Sequence, residues 1–276
     1  LLGASDIRAL ASRVDITPTK KLGQNFVHDA NTVRKIVQAA QLRDDDHVLE
    51  VGPGLGSLTL GLLDAGAQMT AIEIDPRLAT LLPQTIEDFQ PGGVCDVIEA
   101  DAMEVTALPT PPTVLVANLP YNTAVPIVLH LLRTFPTFRR VLVMVQSEVA
   151  ERLAAKPGSK AYGSPSVKAS WFGEWSVAGA ISRQVFWPVP NVDSLLVQME
   201  AHPPPGDEAL RRVLDELVTH AFRTRRKMAR GALAEYLGSD RVSELIEQAG
   251  LNPTDRGEAW GLAEFVALGR VVQAAR

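Results

Sequence analysis

A four-residue segment, Asn118-Leu119-Pro120-Tyr121, combines groups that could activate a planar amino group. An adenine-type amino group is a weak nucleophile because its lone pair is delocalised into the ring. Acceptors that hold its N–H groups shift the nitrogen towards tetrahedral geometry, and the Asn118 Oδ1 and a carbonyl near Leu119 could supply them. Pro120 favours an extended Leu119, and the Tyr121 ring could stack on a base. The segment predicts a site for alkylating an amino group, with all four residues as catalytic; the structural alternative is a turn with a core tyrosine.

A glycine-rich turn at residues 52–56 predicts where an alkyl donor would bind. Its G-x-G-x-G spacing differs from the G-x-G-x-x-G of dinucleotide sites, and Pro53 removes an amide that would bind phosphate. Glu73 lies about twenty residues further on, at the end of the next strand, where it could accept both ribose hydroxyls. Asp101 follows the third strand and could accept from an adenine amino group. The set predicts S-adenosylmethionine as methyl donor, with contacts at Gly52, Gly54, Glu73 and Asp101.

Glu73 and Asp101 each also have a structural explanation. Glu73 alone could be a solvated strand end, and Asp101 alone could be a helix N-cap. The glycine turn, Glu73 and Asp101 nevertheless follow three consecutive strands, so they fall on the carboxyl edge of one sheet. Ligands of open α/β folds bind at that edge.

Short β-branched runs separated by helical patterns predict the sheet that positions these residues. The runs are residues 47–51, 68–73, 94–98, 113–117 and 141–145. Two later runs, 175–181 and 193–199, have no long helix pattern between them and suit an antiparallel hairpin at the sheet edge. Helices are predicted at 5–13 and 29–41, joined by a loop at 17–28. The predicted fold is α/β: a Rossmann-like, class I methyltransferase sheet, parallel with an antiparallel edge hairpin.

A proline-rich break at residues 203–206 predicts a second, small all-α domain. We therefore expect a catalytic, donor-binding domain at 1–200 and an RNA-binding helical domain at 201–276, with helices at 208–219 and 225–236. On one helix, cations spaced at i, i+3, i+4 and i+7 would form a stripe that tracks phosphates, although charged helix faces are also common in solvent. The predicted RNA-binding residues are Arg223, Arg225, Arg226, Lys227 and Arg230. Weaker candidates to extend this surface are Lys20, Lys21, Lys156, Lys160 and Lys168.

Composition limits the remaining classes of protein. The chain has 276 residues, a net charge of −5 and a single cysteine, Cys95, which excludes an intramolecular disulfide and a Cys-based zinc site. The five histidines show no metal-ligand spacing, so no metal is expected. Residues 41–110 carry 13 Asp and Glu against 2 Lys and Arg, so the acidity is concentrated in the donor-binding half and does not argue against RNA. No apolar run suits a membrane span, and a cytoplasmic location is expected.

The motifs together resemble the KsgA-type (RsmA) small-subunit rRNA adenine dimethyltransferases. The resemblance covers about residues 17–235 and rests on segments 21–26, the glycine turn, Asn118–Tyr121 and Phe186-Trp187-Pro188-Val189-Pro190-Asn191-Val192-Asp193-Ser194. It implies transfer of two methyl groups to each of two adjacent adenines near the 3′ end of 16S rRNA, in the small subunit. It also implies donor contacts at Asn25, Val27, Gly52, Glu73, Asp101 and Asn118. The chain departs from the family pattern at Ser147, usually basic, and Gly231, usually Asn.

Two other functions remain open at this level. One is the related large-subunit (23S) rRNA dimethyltransferase that confers macrolide resistance, which shares the glycine and target motifs. The other is a non-catalytic assembly factor that binds immature small subunits. A DNA adenine methyltransferase is less favoured, because those enzymes tend to carry Asp or Asn before Pro-Pro-Tyr. A monomer without a membrane partner is expected.

Overall fold

The structure is a computed structural model that describes residues 1–18 and 24–275. The chain divides into two compact units. The first comprises Leu1–Ala150 with Ser176–Glu200, and the second comprises Glu151–Trp175 with Ala201–Arg276. The sequence predicts residues 151–175 in the first domain, whereas in the structure they pack with the helices that follow residue 201. No helix in the described part of the chain has both the length and the apolar character to cross a membrane.

The first unit is built on the predicted sheet. The strands of this sheet are β2 His47–Val51, β3 Gln68–Glu73, β4 Cys95–Glu99, β5 Val114–Asn118, β6 Arg140–Gln146, β7 Gly173–Ile181 and β9 Ser194–Ala201. Their order is β4-β3-β2-β5-β6-β9-β7, with β2 to β6 parallel and β9 antiparallel to β6. The α/β class and the antiparallel edge are therefore confirmed. The boundary between the two units falls within β7 and at the end of β9.

Strand order fixes the position of a ligand crevice. The chain runs outwards from β2 through β3 to β4, and then returns to place β5 on the other side of β2. In open parallel sheets such a reversal leaves a gap between the connections at the carboxyl ends of the two strands. The central strands are apolar on both faces, as a sheet covered by helices requires; Val48, Leu49, Val114 and Leu115 have no exposed surface. The rigid edge between β2 and β5 therefore positions the residues that follow these strands.

The helices around this sheet begin where capping residues place them. Asp29 accepts the Thr32 N–H at 2.8 Å, and Asp75 accepts the Arg77 N–H at 2.9 Å, with Pro76 in the first turn. The helices are α1 Ala4–Arg13, α2 Ala30–Ala40, α3 Ser57–Asp64, α4 Pro76–Phe89, α5 Ala124–Thr134 and α6 Ser147–Ala154, of which α6 continues into the second unit. The two caps set the starts of α2 and α4, which follow loops that line the cavity side of the sheet.

A small two-stranded sheet joins distant parts of the first unit. Strand β1, Phe26–Val27, pairs antiparallel with β8, Phe186–Trp187. The Phe26 and Trp187 rings stack with centroids 6.4 Å apart. The segment at 186–194, which carries the family resemblance, is thereby fastened to the N-terminal segment. Its far end is also held, since the Ser147 N–H donates to the Asp193 carbonyl at 2.9 Å.

The second unit has its own helical core. Leu214, Leu217, Val218, Ile246 and Phe265 have no exposed surface and belong to one apolar cluster. Its complete helices are α7 Ser164–Ser170, α8 Glu208–Arg223, α9 Ala229–Ala232, α10 Ala234–Leu237, α11 Val242–Gln248 and α12 Leu262–Ala274. The expected helix over 225–236 is wrong: α8 continues to Arg223, a turn follows, and two four-residue helices replace it.

Candidate active site

A cavity of about 570 Å³ opens at the carboxyl edge of the sheet, in the size range of small-molecule sites. Its lining comes from the ends of β2, β3 and β5, from the segment after β4 and from β1. The structure brings together around this cavity every residue predicted to act in catalysis or donor binding. They are Asn25, Val27, Gly52, Gly54, Glu73, Asp101, Asn118, Leu119, Pro120 and Tyr121.

The glycine turn forms one wall of the cavity and requires residues without a Cβ. Gly52 and Gly54 have φ values of 68° and 59°, in the left-handed region that side chains disfavour. A Cβ on Gly54 would also lie 3.1 Å from the Phe26 ring. Val27 fixes the same wall from behind, because its carbonyl accepts the Ser57 hydroxyl at 2.5 Å. At Gly52 and Gly54 the wall therefore presents backbone atoms to the cavity, and this turn packs against β1.

Glu73 places a buried carboxylate at the end of β3. It is 4% exposed, and its two oxygens accept the Gly54 and Asp75 N–H groups, each at 3.0 Å. Burial raises the pKa of Glu73, while these backbone hydrogen bonds lower it. Each carboxylate oxygen has a second lone pair, so Glu73 can bind the glycine turn and still accept hydroxyl groups.

Asp101 and two apolar side chains also line the cavity. Asp101 Oδ1 accepts the Met103 N–H at 2.9 Å, so this residue does organise the turn after β4. Ile74 and Met103 line the cavity while 63% and 39% exposed. Sequence reasoning missed both, because an apolar residue after a strand gives no signal until its exposure is known. Two apolar side chains facing a cavity suit a flat aromatic ring.

The amide of Asn118 is oriented by a residue far away in sequence. Its Nδ2 donates to the Asn25 carbonyl at 3.3 Å. A carbonyl oxygen can only accept, so the nitrogen must face Asn25, and Oδ1 remains as the acceptor of this side chain. The backbone beside it is also fixed, since the Leu119 N–H donates to the Met144 carbonyl at 3.1 Å. Asn118 is therefore preorganised to accept a hydrogen bond.

Tyr121 brings a half-buried ring to the same place. Its hydroxyl is buried and has no hydrogen-bond partner in the described part of the chain. An unsatisfied buried hydroxyl costs about 1–3 kcal/mol. The Pro120 carbonyl accepts the Thr123 N–H at 3.4 Å, which closes the turn that carries the ring.

The polar groups around the cavity fit a nucleoside without phosphates. Among the described lining residues, Arg77 is the only basic side chain. Its guanidinium is already bound, to the Asp75 carboxylate at 2.9 Å and to the Asp15 carbonyl at 3.2 Å. Buried carboxylate, apolar walls and exposed glycine backbone are the remaining features. These features match the adenosine and the cationic sulfonium of S-adenosylmethionine and offer little to a pyrophosphate.

Glu50, at the back of the cavity, should make stability depend on pH. It is 1% exposed, and burial raises the pKa of Glu50 to about 8 from the ordinary 4.5. Between these values the folded state holds a proton that the unfolded state has lost. The contribution of Glu50 to the free energy of unfolding is therefore fully present below about pH 4.5. It falls by up to about 1.4 kcal/mol per pH unit as the pH rises towards 8. Glu50→Gln should remove this pH-dependent loss, because glutamine does not titrate. The fold should tolerate the change, because the amide oxygen can still accept the Thr59 hydroxyl.

Urea unfolding of both proteins at about pH 5 and about pH 8 measures this effect. The exposed Glu99→Gln provides the matched control and should retain the wild-type dependence. If Glu50→Gln and wild type showed parallel pH profiles, Glu50 would be ionised in the folded protein and the prediction would be wrong.

The predicted RNA-binding cations lie in the second unit and do not form one helix face. Arg223 ends α8, and Arg225, Arg226 and Lys227 lie in the turn after it, so the predicted i, i+3, i+4 stripe is wrong. Arg230 lies on α9. All five are exposed, but Arg223 pairs with Glu235 and Arg225 with Glu258. Lys20 and Lys21 lie outside the described residues, Lys156 pairs with Glu174, and Lys168 donates to Thr219.

Potential metal ligands do not cluster in the described part of the chain. Within residues 1–18 and 24–275 there is no group of three or more His, Cys, Asp or Glu arranged to hold a metal ion. The single cysteine, Cys95, is half-buried, and burial raises the pKa of its thiol to about 12. The expectation that no metal is needed stays a prediction.

A mostly parallel sheet with an antiparallel edge, a glycine wall and an acidic residue at the end of β3 define a class I, S-adenosylmethionine-dependent methyltransferase. Solved structures share the fold. The chain is similar to the 23S rRNA methyltransferase ErmE, with a TM-score of 0.67 and 26% identity over 90% of this chain and 100% of that one. It is also similar to a dimethyladenosine transferase from Plasmodium falciparum, with a TM-score of 0.75 and 22% identity over 88% and 95%.

The family model of ribosomal RNA adenine dimethylase matches residues 17–268, and the chain belongs to that family. Curated relatives agree over nearly the whole chain. The ribosomal RNA small subunit methyltransferase A of Paenarthrobacter aurescens is 54% identical over 97% of this chain and 92% of its own length. The protein of the same name from Nocardia farcinica is 55% identical over 97% and 94%. The resemblance inferred from the motifs is confirmed.

Proposed function

We propose that this protein transfers methyl groups from S-adenosylmethionine to the 6-amino groups of two adjacent adenines near the 3′ end of 16S rRNA. The oriented Asn118 amide inside a nucleoside-sized cavity carries the proposal. The substrate is supported by identity of about 54% to small-subunit enzymes, against 26% to the 23S rRNA enzyme. A large-subunit substrate is therefore not favoured. The protein is proposed to act as a monomer on rRNA within the small ribosomal subunit.

The methyl donor would bind between the glycine turn and the segment after β4. S-adenosylmethionine supplies an electrophilic methyl group on a sulfonium. Glu73 accepts the two ribose hydroxyls, and the bare backbone at Gly52 and Gly54 allows the ligand to approach closely. Asp101 accepts from the adenine amino group, while Ile74 and Met103 cover the faces of that ring. Asn25, just before β1, and Val27, within it, contribute to another part of the wall.

The target adenine would enter from the side of Asn118 and Tyr121. The Asn118 Oδ1 and the Leu119 carbonyl accept the two N–H groups of the amino group, which shifts its nitrogen towards tetrahedral geometry. Pro120 holds the preceding backbone extended, and the Tyr121 ring stacks on the extruded base, a contact worth about 1–3 kcal/mol. As the nitrogen bonds to the methyl group, the methyl–sulfur bond would break and S-adenosylhomocysteine would leave. The methylated nitrogen is acidic and would lose its proton to water, so no strong general base is required. Asn118 would then lie between the two ligands, so one side chain would align acceptor and donor.

A nucleoside analysis tests the function directly. Unmethylated small subunits and unmethylated large subunits are incubated separately with radiolabelled S-adenosylmethionine and the protein. We expect labelled dimethyladenosine in the small-subunit rRNA and background label in the large-subunit rRNA. Label confined to large subunits would support the macrolide-resistance activity. Binding to small subunits with no label in either sample would support the non-catalytic assembly factor.

A further inference from the structure

Asp75 links the carboxylate of Glu73 to the start of α4. The Asp75 N–H donates to Glu73 Oε1 at 3.0 Å, and the Asp75 side chain caps the helix by accepting the Arg77 N–H at 2.9 Å. Asp75 is only 9% exposed, so protein groups rather than solvent hold its carboxylate. The position of the Glu73 carboxylate therefore depends on how firmly Asp75 is held.

The guanidinium of Arg77 holds both oxygens of the Asp75 carboxylate. Its Nε donates to Oδ1 at 3.2 Å, and its Nη2 donates to Oδ2 at 2.9 Å. A bidentate pair of this kind fixes the direction of a carboxylate as well as balancing its charge. The contact with Arg77 also holds the pKa of Asp75 below its usual range. Asp75 is therefore an ion-paired carboxylate beside Glu73.

The third nitrogen of the same guanidinium holds the N-terminal segment. Nη1 donates to the Asp15 carbonyl at 3.2 Å, just after the end of α1. The next residue, Ile16, is buried in the core of the first unit. Arg77 thus joins the segment after α1 to the residues that support Glu73.

The charge of Arg77 acts beside the donor cavity, which both Arg77 and Asp75 line. Burial raises the pKa of Glu73, and the negative charge of Asp75 raises it further. An unpaired Asp75 would therefore repel an ionised Glu73 carboxylate. Pairing with Arg77 offsets this repulsion.

We propose that Arg77 is a positioning residue of the methyl-donor site, which acts on the donor ribose through Asp75 and Glu73. The inference deepens the proposed function and rests on it, because it requires Glu73 to bind the ribose. One guanidinium fixes the residue beside Glu73, balances its charge and anchors the segment after α1. A lysine would keep the charge but has no planar fork with which to hold both oxygens of Asp75.

Calorimetric titration of the folded protein tests this role. Arg77→Ala should weaken binding of S-adenosylmethionine by about tenfold, and Arg77→Lys should lose nearly as much. Binding of S-adenosylhomocysteine should weaken by a similar factor, because it has the same ribose but no sulfonium charge.

Arg13→Ala is the matched control for these titrations. Arg13 also joins α1 to α4, through an exposed ion pair with Asp88 at 3.4 Å. Asp88 lies about 18 Å along the helix from Pro76, at the end away from the cavity. The donor affinity of Arg13→Ala should stay within about twofold of wild type.

A double-mutant cycle shows whether Arg77 acts through Glu73. Glu73→Ala with and without Arg77→Ala should bind the donor equally, because the ribose contact is already lost. In steady-state transfer to unmethylated small subunits, Arg77→Ala should raise the KM for the donor by about tenfold and leave kcat within about twofold of wild type. A merely structural role would lower the melting temperature and the active fraction while leaving this KM unchanged.

Wild-type affinity in Arg77→Ala, full recovery in Arg77→Lys, or additive losses in the double variant would each overturn the inference. A loss confined to S-adenosylmethionine would also overturn it, because the effect would then act on the sulfonium charge and not on the ribose. A wild-type protein that bound no S-adenosylmethionine would refute the proposed function itself. A wild-type protein that bound and transferred normally, beside an Arg77→Ala protein of equal affinity, would refute the role of Arg77 alone.

Discussion

Replacing Asn118 by alanine should lower the rate of methyl transfer by about 10²- to 10⁴-fold. The alanine removes the Oδ1 acceptor that would hold the target amino group. It also removes the hydrogen bond to the Asn25 carbonyl, which is a 3.3 Å contact of a half-buried group and contributes about 1 kcal/mol to stability. The loss should therefore fall on the rate of transfer much more than on folding. Single-turnover transfer to unmethylated small subunits, with a thermal melt of each protein, measures both.

The exposed Asn31→Ala is the matched control for this prediction, since Asn31 lies on α2 and its amide oxygen accepts from Arg34. Binding of Asn118→Ala to small subunits should be retained, because the predicted RNA-binding cations lie in the second unit. An Asn118→Ala protein with more than about a tenth of the wild-type rate would show that backbone acceptors alone suffice. Loss of subunit binding together with transfer would argue against separate target and RNA sites.

Replacing Glu73 by alanine should weaken binding of S-adenosylmethionine by about 100-fold, or about 2.7 kcal/mol. The alanine removes the acceptor for both ribose hydroxyls. It also leaves the Gly54 and Asp75 N–H groups without the carboxylate that fixes them, so the glycine turn loses its support from β3. We expect a lower melting temperature as well, since unsatisfied buried N–H groups cost about 1–3 kcal/mol each. Calorimetric titration with the methyl donor at low temperature measures the affinity of the folded protein.

Glu99→Ala is the matched control, because Glu99 pairs in register with Glu73 on the neighbouring strand and is exposed. Its donor affinity should stay within about twofold of wild type. The donor affinity of Glu73→Gln should lie between those of wild type and Glu73→Ala. One side-chain oxygen remains as an acceptor, but the amide nitrogen would face a backbone N–H group. Equal donor affinity for Glu73→Ala and wild type would remove Glu73 from the proposed ribose site.

Sequence was most informative where the signal is local. The parallel strands are short apolar runs that can be recognised in the sequence. Glu73 and Asn118 stand at the ends of two such runs, so both could be placed on the carboxyl edge of the sheet. The orientation of the Asn118 amide could not be predicted, because its partner Asn25 is 93 residues away. The exposure of Ile74 and Met103 was also hidden, since apolar residues are expected to be buried.

The helical unit shows why a periodic pattern can mislead. Cations at 223, 226, 227 and 230 fit a helix, but α8 ends at Arg223. Tertiary contacts override local propensity here, because the Ala229 and Arg230 N–H groups donate to the carbonyls of Asp255 and Pro253. The cations are exposed even though they do not share one helix. Arg223 and Arg225 pair with Glu235 and Glu258, which lie outside the helical pattern, so the pattern cannot show which cations are available to a phosphate.

The pairing of β1 with β8 has a consequence for synthesis of the chain. Phe26 forms part of the donor wall, yet its strand partner is about 160 residues further on. A ribosome making this protein would release most of the sheet before that partner emerges. Until Trp187 has emerged from the ribosome, Phe26 lacks its strand partner, and the donor wall of a nascent chain should therefore lack the support that β8 gives it.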